Sequence, residues 1–245
     1  MLFLVSTQWN EVWIARTFVL SNTTDMQTKQ TISIIGSTGN MGSAIAKSLA
    51  KGNYRLLLCA GKQNSADALA KEIQDNNPTA EVEAIDCSYN ASWEADIIIA
   101  AIPFGIEKEI AGKISEVANQ KIVISIANPL NTSYDGLLTA SDTSAAEELQ
   151  KLLPNSKVIK AFNTTFAADF SQPVIDGKQA DSFIAGNDLE ALETVSELVA
   201  TAGFNPVIAG DLSVSRTLEQ MQLLLITLNM KNSYNWLAGW KLLHN

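Results

Sequence analysis

Apolar residues fall along this chain in short blocks of two kinds, and the two kinds alternate. Residues 31–35 are a β-branched run that stops at Gly36, and residues 41–50 follow with Met41, Ile45 and Leu49 at helical spacing. The first unit therefore reads strand, tight turn, helix. Residues 54–59 read as a second strand, 66–73 as a helix, and 81–85 as a third strand with alternating apolar positions. The continuous apolar runs 96–102, 121–126 and 158–162 suit strands buried on both faces of a parallel sheet. Ser144 and Glu147 have the spacing of a capping box and open a helix that stops before Pro154. Residues 182–185, a helix over 189–202, and residues 206–209 continue the alternation, and a helix over 216–230 closes it. The pattern predicts an α/β fold, a doubly wound and mainly parallel sheet with right-handed crossovers, helices on both faces and a C-terminal helical cap.

With 245 residues, the chain fits one large α/β unit. Its first part, residues 30–163, forms the nucleotide-binding half of that reading, and residues 164–245 complete the sheet, close one side of the acceptor pocket with Asp211 and Leu212 at its entrance, and supply a dimer contact. A net charge of −9 and no basic stripe exclude a nucleic-acid partner. Cys59 and Cys87 have no CxxC spacing and no neighbouring histidine, so they read as reduced core thiols rather than metal ligands. The apolar stretches 1–5 and 12–20 are interrupted by Gln8, Trp9, Asn10 and Glu11 and lack a basic flank. They make a poor signal peptide, and no later run approaches the ~18 apolar residues of a membrane span. A cytoplasmic protein with no membrane partner is expected. Residues 1–29 read as an extension the fold does not need; the alternative is an arm that docks on a partner subunit through Trp9, Trp13 and Phe18.

In such a sheet, ligands bind beyond the carboxyl ends of the strands, near the point where strand order reverses. That rule selects the loops 36–42, 60–64, 103–105, 127–130, 163–166 and 210–212. The first of them, Gly36-Ser37-Thr38-Gly39-Asn40-Met41-Gly42, gives each glycine a mechanical role. Gly36 permits a sharp turn, Gly39 lets the backbone approach a pyrophosphate, and Gly42 lets the helix pack close to the strand. The helix N-terminus offers free N–H groups to phosphates. A glycine pattern alone also occurs in ordinary turns, but its place between strand and helix favours a Rossmann-type dinucleotide site. The end of the second strand carries Cys59-Ala60-Gly61-Lys62 instead of a carboxylate, which favours NADP over NAD, with Lys62 pairing the 2′-phosphate. The alternative is that Lys62 is a solvated loop lysine.

Four segments together resemble the deazaflavin-dependent NADP oxidoreductases and the related NADPH-binding domains of membrane ferric reductases. They are the glycine loop, Ala101-Ile102-Pro103-Phe104, Ala127-Asn128-Pro129-Leu130, and the more specific Val158-Ile159-Lys160-Ala161-Phe162-Asn163-Thr164. The similarity spans roughly residues 30 to 230. It implies NADP(H) with its pyrophosphate on Ser37 to Met41 and its 2′-phosphate at Gly61 and Lys62. It also implies that Ile102, Pro103, Asn128 and Pro129 lie near the nicotinamide and its ribose. The acceptor implied is a deazaflavin or flavin, and family members are often dimers. This chain departs from the family in having a single basic residue in the second-strand loop, and Asp211 where a proline or small residue is usual.

No Ser-His-Asp, Cys-His or HExxH arrangement exists, and the only histidine is His244. Hydride transfer to a flavin-like ring needs stacking, orientation and water exclusion, so no catalytic acid or base is assigned. Reduction of a carbonyl or imine requires a proton donor. Lys160 and Tyr134 are candidates without a supporting partner in sequence, and Lys160 reads first as a structural residue. The expected function is an NADP(H)-dependent oxidoreductase with a flavin-like acceptor; the alternative is a non-catalytic NADP-binding redox sensor. Leu218, Met221, Leu225 and Leu228, with Trp236, Trp240, Leu242 and Leu243 beyond them, form an apolar C-terminal cluster that packs on its own sheet and in part makes a homodimer contact.

Overall fold

The computed structural model describes residues 29–244. The expectations for the N-terminal extension, with its Trp9, Trp13 and Phe18 anchors, lie outside the described residues.

The chain begins with β1 (Gln30–Ile35), α1 (Asn40–Leu49), β2 (Tyr54–Cys59), α2 (Gln63–Asn76), β3 (Glu81–Ala84), α3 (Ser88–Glu94) and β4 (Ile97–Ala100). It continues through α4 (Phe104–Ile114), β5 (Ile122–Ser125), α5 (Ala145–Leu152) and β6 (Lys157–Lys160). A small hairpin of β7 (Val174–Ile175) and β8 (Lys178–Gln179) precedes β9 (Asp181–Gly186), α6 (Leu189–Thr201), β10 (Asn205–Gly210) and α7 (Ser215–Asn232). One eight-stranded sheet runs in the order β10-β9-β6-β5-β4-β1-β2-β3. All its pairs are parallel except β6 with β9. The fold is thus a Rossmann-type doubly wound sheet with α7 as a C-terminal cap. Order reverses between β1 and β4, so the turns after these two strands open side by side at the ligand-binding edge.

The apolar runs earn their burial by alternation. Ile97 and Ile99 of β4 join Ile32, Ile34, Ile45 and Leu56 on one face, whereas Ile98 joins Val123, Val158, Ala111 and Leu149 on the other. Strands buried on both faces need no polar side, which is why these segments read as continuous apolar runs.

Three differences from the sequence expectation have local causes. Helix α3 has only seven residues and no apolar period to betray it. Helix α4 was legible in the spacing of Ile106, Ile110 and Ile114, yet the strand-by-strand reading passes over it. Strand β6 ends at Lys160, short of the expected Phe162, because Phe162 takes a φ of 59° and turns the chain out of the sheet.

Beyond α7 the chain returns to its own sheet. The amide of Asp181 donates to the Trp240 carbonyl at 2.8 Å. The fully buried Asp181 carboxylate accepts from Lys241 Nζ (2.7 Å), the Leu242 amide (2.6 Å) and Asn205 Nδ2 (2.7 Å). Trp236 meets Phe166 edge-on at 5.3 Å, and Trp240 packs with Leu225 and Ile226, whereas Leu242 and Leu243 are exposed.

Candidate functional site

The glycine loop is held from below by β2. The amides of Gly36 and Ser37 donate to the Cys59 carbonyl at 2.8 and 3.0 Å, and Ser37 Oγ donates to it as well, at 3.2 Å. Ser37 is fully buried, so its polar groups serve the turn rather than the open edge. Gly36 has φ +84°, and a Cβ there would lie 2.1 Å from the Ala101 carbonyl oxygen. A Cβ on Gly42 would lie 2.2 Å from the Gly36 carbonyl oxygen. Both glycines are thus required by the protein's own packing.

Gly39 differs. Its φ of −70° and ψ of 165° suit any residue, and a Cβ would meet only the Gly36 carbonyl oxygen at 3.4 Å. The polypeptide leaves open the space that a side chain at position 39 would occupy. Beside that space, the first-turn amides of Asn40, Met41 and Gly42 have no hydrogen-bond partner among the described residues, and the α1 N-cap carries no side-chain bond. A small open cradle at an uncapped helix N-terminus fits an anion such as a pyrophosphate.

The loop divides two clefts. The first, of about 570 Å³, is lined by Gly36, Gly39, Cys59, Gly61, Asp86, Cys87, Ile102, Pro103 and Lys113, among others. The second, of about 420 Å³, lies on the other side of the α1 N-terminus and includes Asn40, Met41, Asn128, Tyr134, Asn163, Phe166, Gln222 and Trp236. The residues expected around the nicotinamide are therefore split. Ile102 and Pro103 stand in the first cleft with Gly61, and Asn128 stands in the second. Pro129 is buried and lines neither; its carbonyl accepts from the Leu138 amide at 2.6 Å. Thr38 is exposed at the crest of the loop, and Lys62 is exposed at the N-cap of α2 beside the first cleft. Asp211 caps a short turn through the Ser213 amide at 2.9 Å and lines neither cleft.

The sequence pattern does not single out Asp86 and Lys113 in the first cleft or Asn163 and Gln222 in the second, whereas Trp236 belongs to the C-terminal cluster expected at the acceptor pocket. Of the first four, only Asn163 carries a hint of a role, through its position in a strand-end loop. Asn128 and Asn163 bond each other, with Asn163 Nδ2 donating to Asn128 Oδ1 at 3.0 Å and Asn128 Nδ2 donating to the Asn163 carbonyl at 3.0 Å. Asn163 Nδ2 also donates to the Leu218 carbonyl of α7 at 3.1 Å. Asn163 Oδ1 and Gln222 Oε1 are buried without a partner among the described residues. Unpaired buried acceptors are costly, and both belong to the wall of the second cleft, where a ligand's N–H groups would satisfy them.

Electrostatically the second cleft is quiet. Tyr134 is the one ionisable side chain in its lining. Lys160 is fully buried and donates to Glu219 Oε1 at 2.7 Å and to the Ala127 carbonyl, so it is locked beneath the loop. Helix α7 is held further by Arg216, whose guanidinium grips both oxygens of Glu147 at 2.6 and 2.9 Å and draws that carboxyl below its usual range. Glu147 is thereby shared between Arg216 and the expected cap, Ser144, whose Oγ accepts from the Glu147 amide at 3.2 Å. In the first cleft, burial pushes the Cys59 thiol up to about 11, so it is protonated and inert at neutral pH. No group of metal-ligating side chains occurs among the described residues.

A glycine loop at the β1–β4 switch point, with clefts on both sides, defines a Rossmann dinucleotide-binding protein. The family model for coenzyme F420-dependent NADP oxidoreductases matches residues 31–129. The chain is 32% identical over 211 residues to the F420-dependent NADP reductase of Methanocaldococcus jannaschii, covering 82% of this chain and 92% of the relative. A crystal structure of a putative F420-dependent NADP reductase from Arthrobacter sp. FB24 superposes with a TM-score of 0.75 at 23% identity, over 88% of this chain and 100% of that one. A shorter match, 36% identical over 106 residues, links 43% of this chain to 21% of the rat metalloreductase STEAP3. The chain belongs to the F420-dependent NADP reductase family.

Proposed function

We propose that the chain binds NADP(H) across the strand ends and catalyses hydride transfer between its nicotinamide and a deazaflavin. The observation that carries the reading is the open cradle at Gly39, with unpaired amides of Asn40 and Met41, placed between two clefts. The adenosine end lies in the first cleft, against Gly61, Ile102 and Pro103, and the pyrophosphate lies on the residues from Gly36 to Gly42. The nicotinamide lies in the second cleft. The bound nicotinamide supplies or accepts the hydride. The protein's part is to orient two planar rings and exclude water, which suits a cleft walled by Phe166, Ile226 and Trp236. Asn163 and Gln222 present the carbonyl oxygens that accept from a carboxamide or from the ring N–H of a deazaflavin. Steady-state NADPH oxidation with F420 and with flavins tests the reading. The competing view, a redox sensor, predicts binding without turnover.

Lys62, exposed at the N-cap of α2 next to Gly61 of the first cleft, would pair the 2′-phosphate, while Asp86 places one carboxylate in that cleft. NADP(H) is expected to bind more tightly than NAD(H), and Lys62→Ala to narrow the gap by about 1–2 kcal/mol, one charge-assisted hydrogen bond. Titration of both nucleotides against both proteins checks it; equal affinities in the wild type would remove the argument.

We propose a cytoplasmic protein, as the sequence reading expects; among the described residues no helix is long and apolar enough to cross a membrane. The protein acts as a homodimer through α7, where Leu224 and Leu228 leave one face of the helix apolar and exposed next to Tyr234. A monomeric mass by light scattering would overturn that assembly.

A further inference from the structure

Helix α4 carries a carboxylate that neither cleft uses. Glu107 is 2% exposed; its Oε1 lies 3.5 Å from Ser125 Oγ, and its Oε2 has no partner among the described residues. The charged groups that face it are Lys160 from β6 and Glu219 from α7; the helices α3 and α5, which also pack on α4, set none against it. Each member of this cluster is tied to a different segment of the binding edge. Glu107 lies in the first turn of α4, which begins directly after Pro103. Lys160 holds the carbonyl of Ala127, the residue before Asn128. Glu219 also accepts from the Ala145 amide at 3.1 Å, and it stands one helical turn before Gln222. The cluster has two carboxylates for one ammonium. Burial pushes Glu107 up to about 7, opposed by Lys160 and reinforced by Glu219. A carboxyl with so few donors is better accommodated neutral.

We propose that Glu107, Lys160 and Glu219 form a buried positioning junction that keeps the α7 wall of the second cleft in register with the Ala127–Asn128 backbone, and that it works with one proton on Glu107. With Glu107 neutral, Glu219 is the single counter-charge of Lys160, and α7 is drawn against β5 and β6. Once Glu107 loses its proton, a second anion competes for the same ammonium. The grip on Glu219 weakens, and α7 loosens together with Gln222. None of the three lines either cleft, so they act through the residues they hold. The first cleft has no wall on α7, so the change is felt in the second cleft, where the nicotinamide and the acceptor meet.

The inference rests on the second cleft being the acceptor site, and the test separates the two. Hydrogen exchange of the α7 amides is followed in the ligand-free wild type from about pH 6 to about pH 8.5 and corrected for intrinsic rates. Protection is expected to fall about tenfold, the scale set by losing one proton well above its midpoint. Glu107→Gln, which keeps the shape of the neutral acid, holds the low-pH protection throughout. In parallel, kcat/KM for F420 falls about tenfold in the wild type and stays flat in Glu107→Gln. Wild-type protection that ignores pH overturns the junction whatever the turnover, and decides the matter alone should Glu107→Gln fail to fold. Protection that follows pH without any turnover upholds the junction and removes the functional reading.

Discussion

Gly39→Val is expected to lower NADP(H) affinity at least ~100-fold, the loss of roughly two charge-assisted hydrogen bonds, while the protein stays folded. The contrast with its neighbours gives this prediction its force. The backbone at Gly39 is extended and its Cβ position is open, so valine costs the free protein only the ~1 kcal/mol of a poorer N-cap. Its methyl groups would then stand where a pyrophosphate must approach the amides of Asn40 and Met41. Gly36→Ala and Gly42→Ala are expected to behave oppositely. Their new Cβ atoms would lie 2.1 and 2.2 Å from backbone oxygens, so these variants lose stability before they lose anything specific to the ligand. Titration calorimetry and thermal unfolding on the three proteins separate the two kinds of glycine. A Gly39→Val protein that binds NADP normally would make the loop a turn and nothing more.

Glu219→Ala should destabilise the fold by about 3 kcal/mol, because it strands the fully buried Lys160 ammonium and removes the acceptor of the Ala145 amide. The loss sits at the lower end of the usual range since Glu107 can ionise and replace part of the missing charge. Removing both partners, in Lys160→Met with Glu219→Ala, should be milder than Glu219→Ala alone, as the buried charge then disappears. Urea unfolding of the three variants reads these differences. A single variant as stable as the wild type would mean that water reaches Lys160 and that the pair does not anchor α7.

Much of the fold was legible because its strands are buried on both faces. Blocks such as Ile97-Ile98-Ile99 and Ile122-Val123-Ile124 have no polar side to confuse their reading, and the turn at Gly36 marks the end of β1. What escaped was conformational or non-local. Apolarity ran the sixth strand on to Phe162, because composition does not register a residue that adopts φ 59°. The site was legible where one local segment builds it, as the glycine loop does. It was illegible where the chain assembles it from distant pieces. Asn163 meets Leu218 across 55 positions and Lys160 meets Glu219 across 59, so Lys160 looked partnerless and Gln222 looked like one more helix residue. The division into two clefts was hidden for the same reason. Ile102-Pro103 and Asn128-Pro129 follow adjacent strands and look equivalent, yet the α1 N-terminus puts Ile102 and Asn128 on opposite sides.

The central claim is that hydride passes directly between a nicotinamide and a planar acceptor held together in the second cleft, with no protein acid or base in between. Its most direct test uses NADPH deuterated at the transferring C4 position, oxidised F420 and the purified chain in ordinary water. The account predicts that the reduced deazaflavin carries the deuterium, in an amount matching the NADPH consumed. Binding of both molecules with no transfer, or reduction in which the non-exchangeable hydrogen on the ring carbon comes from solvent, would contradict it; the proton gained by the ring nitrogen comes from water in either case.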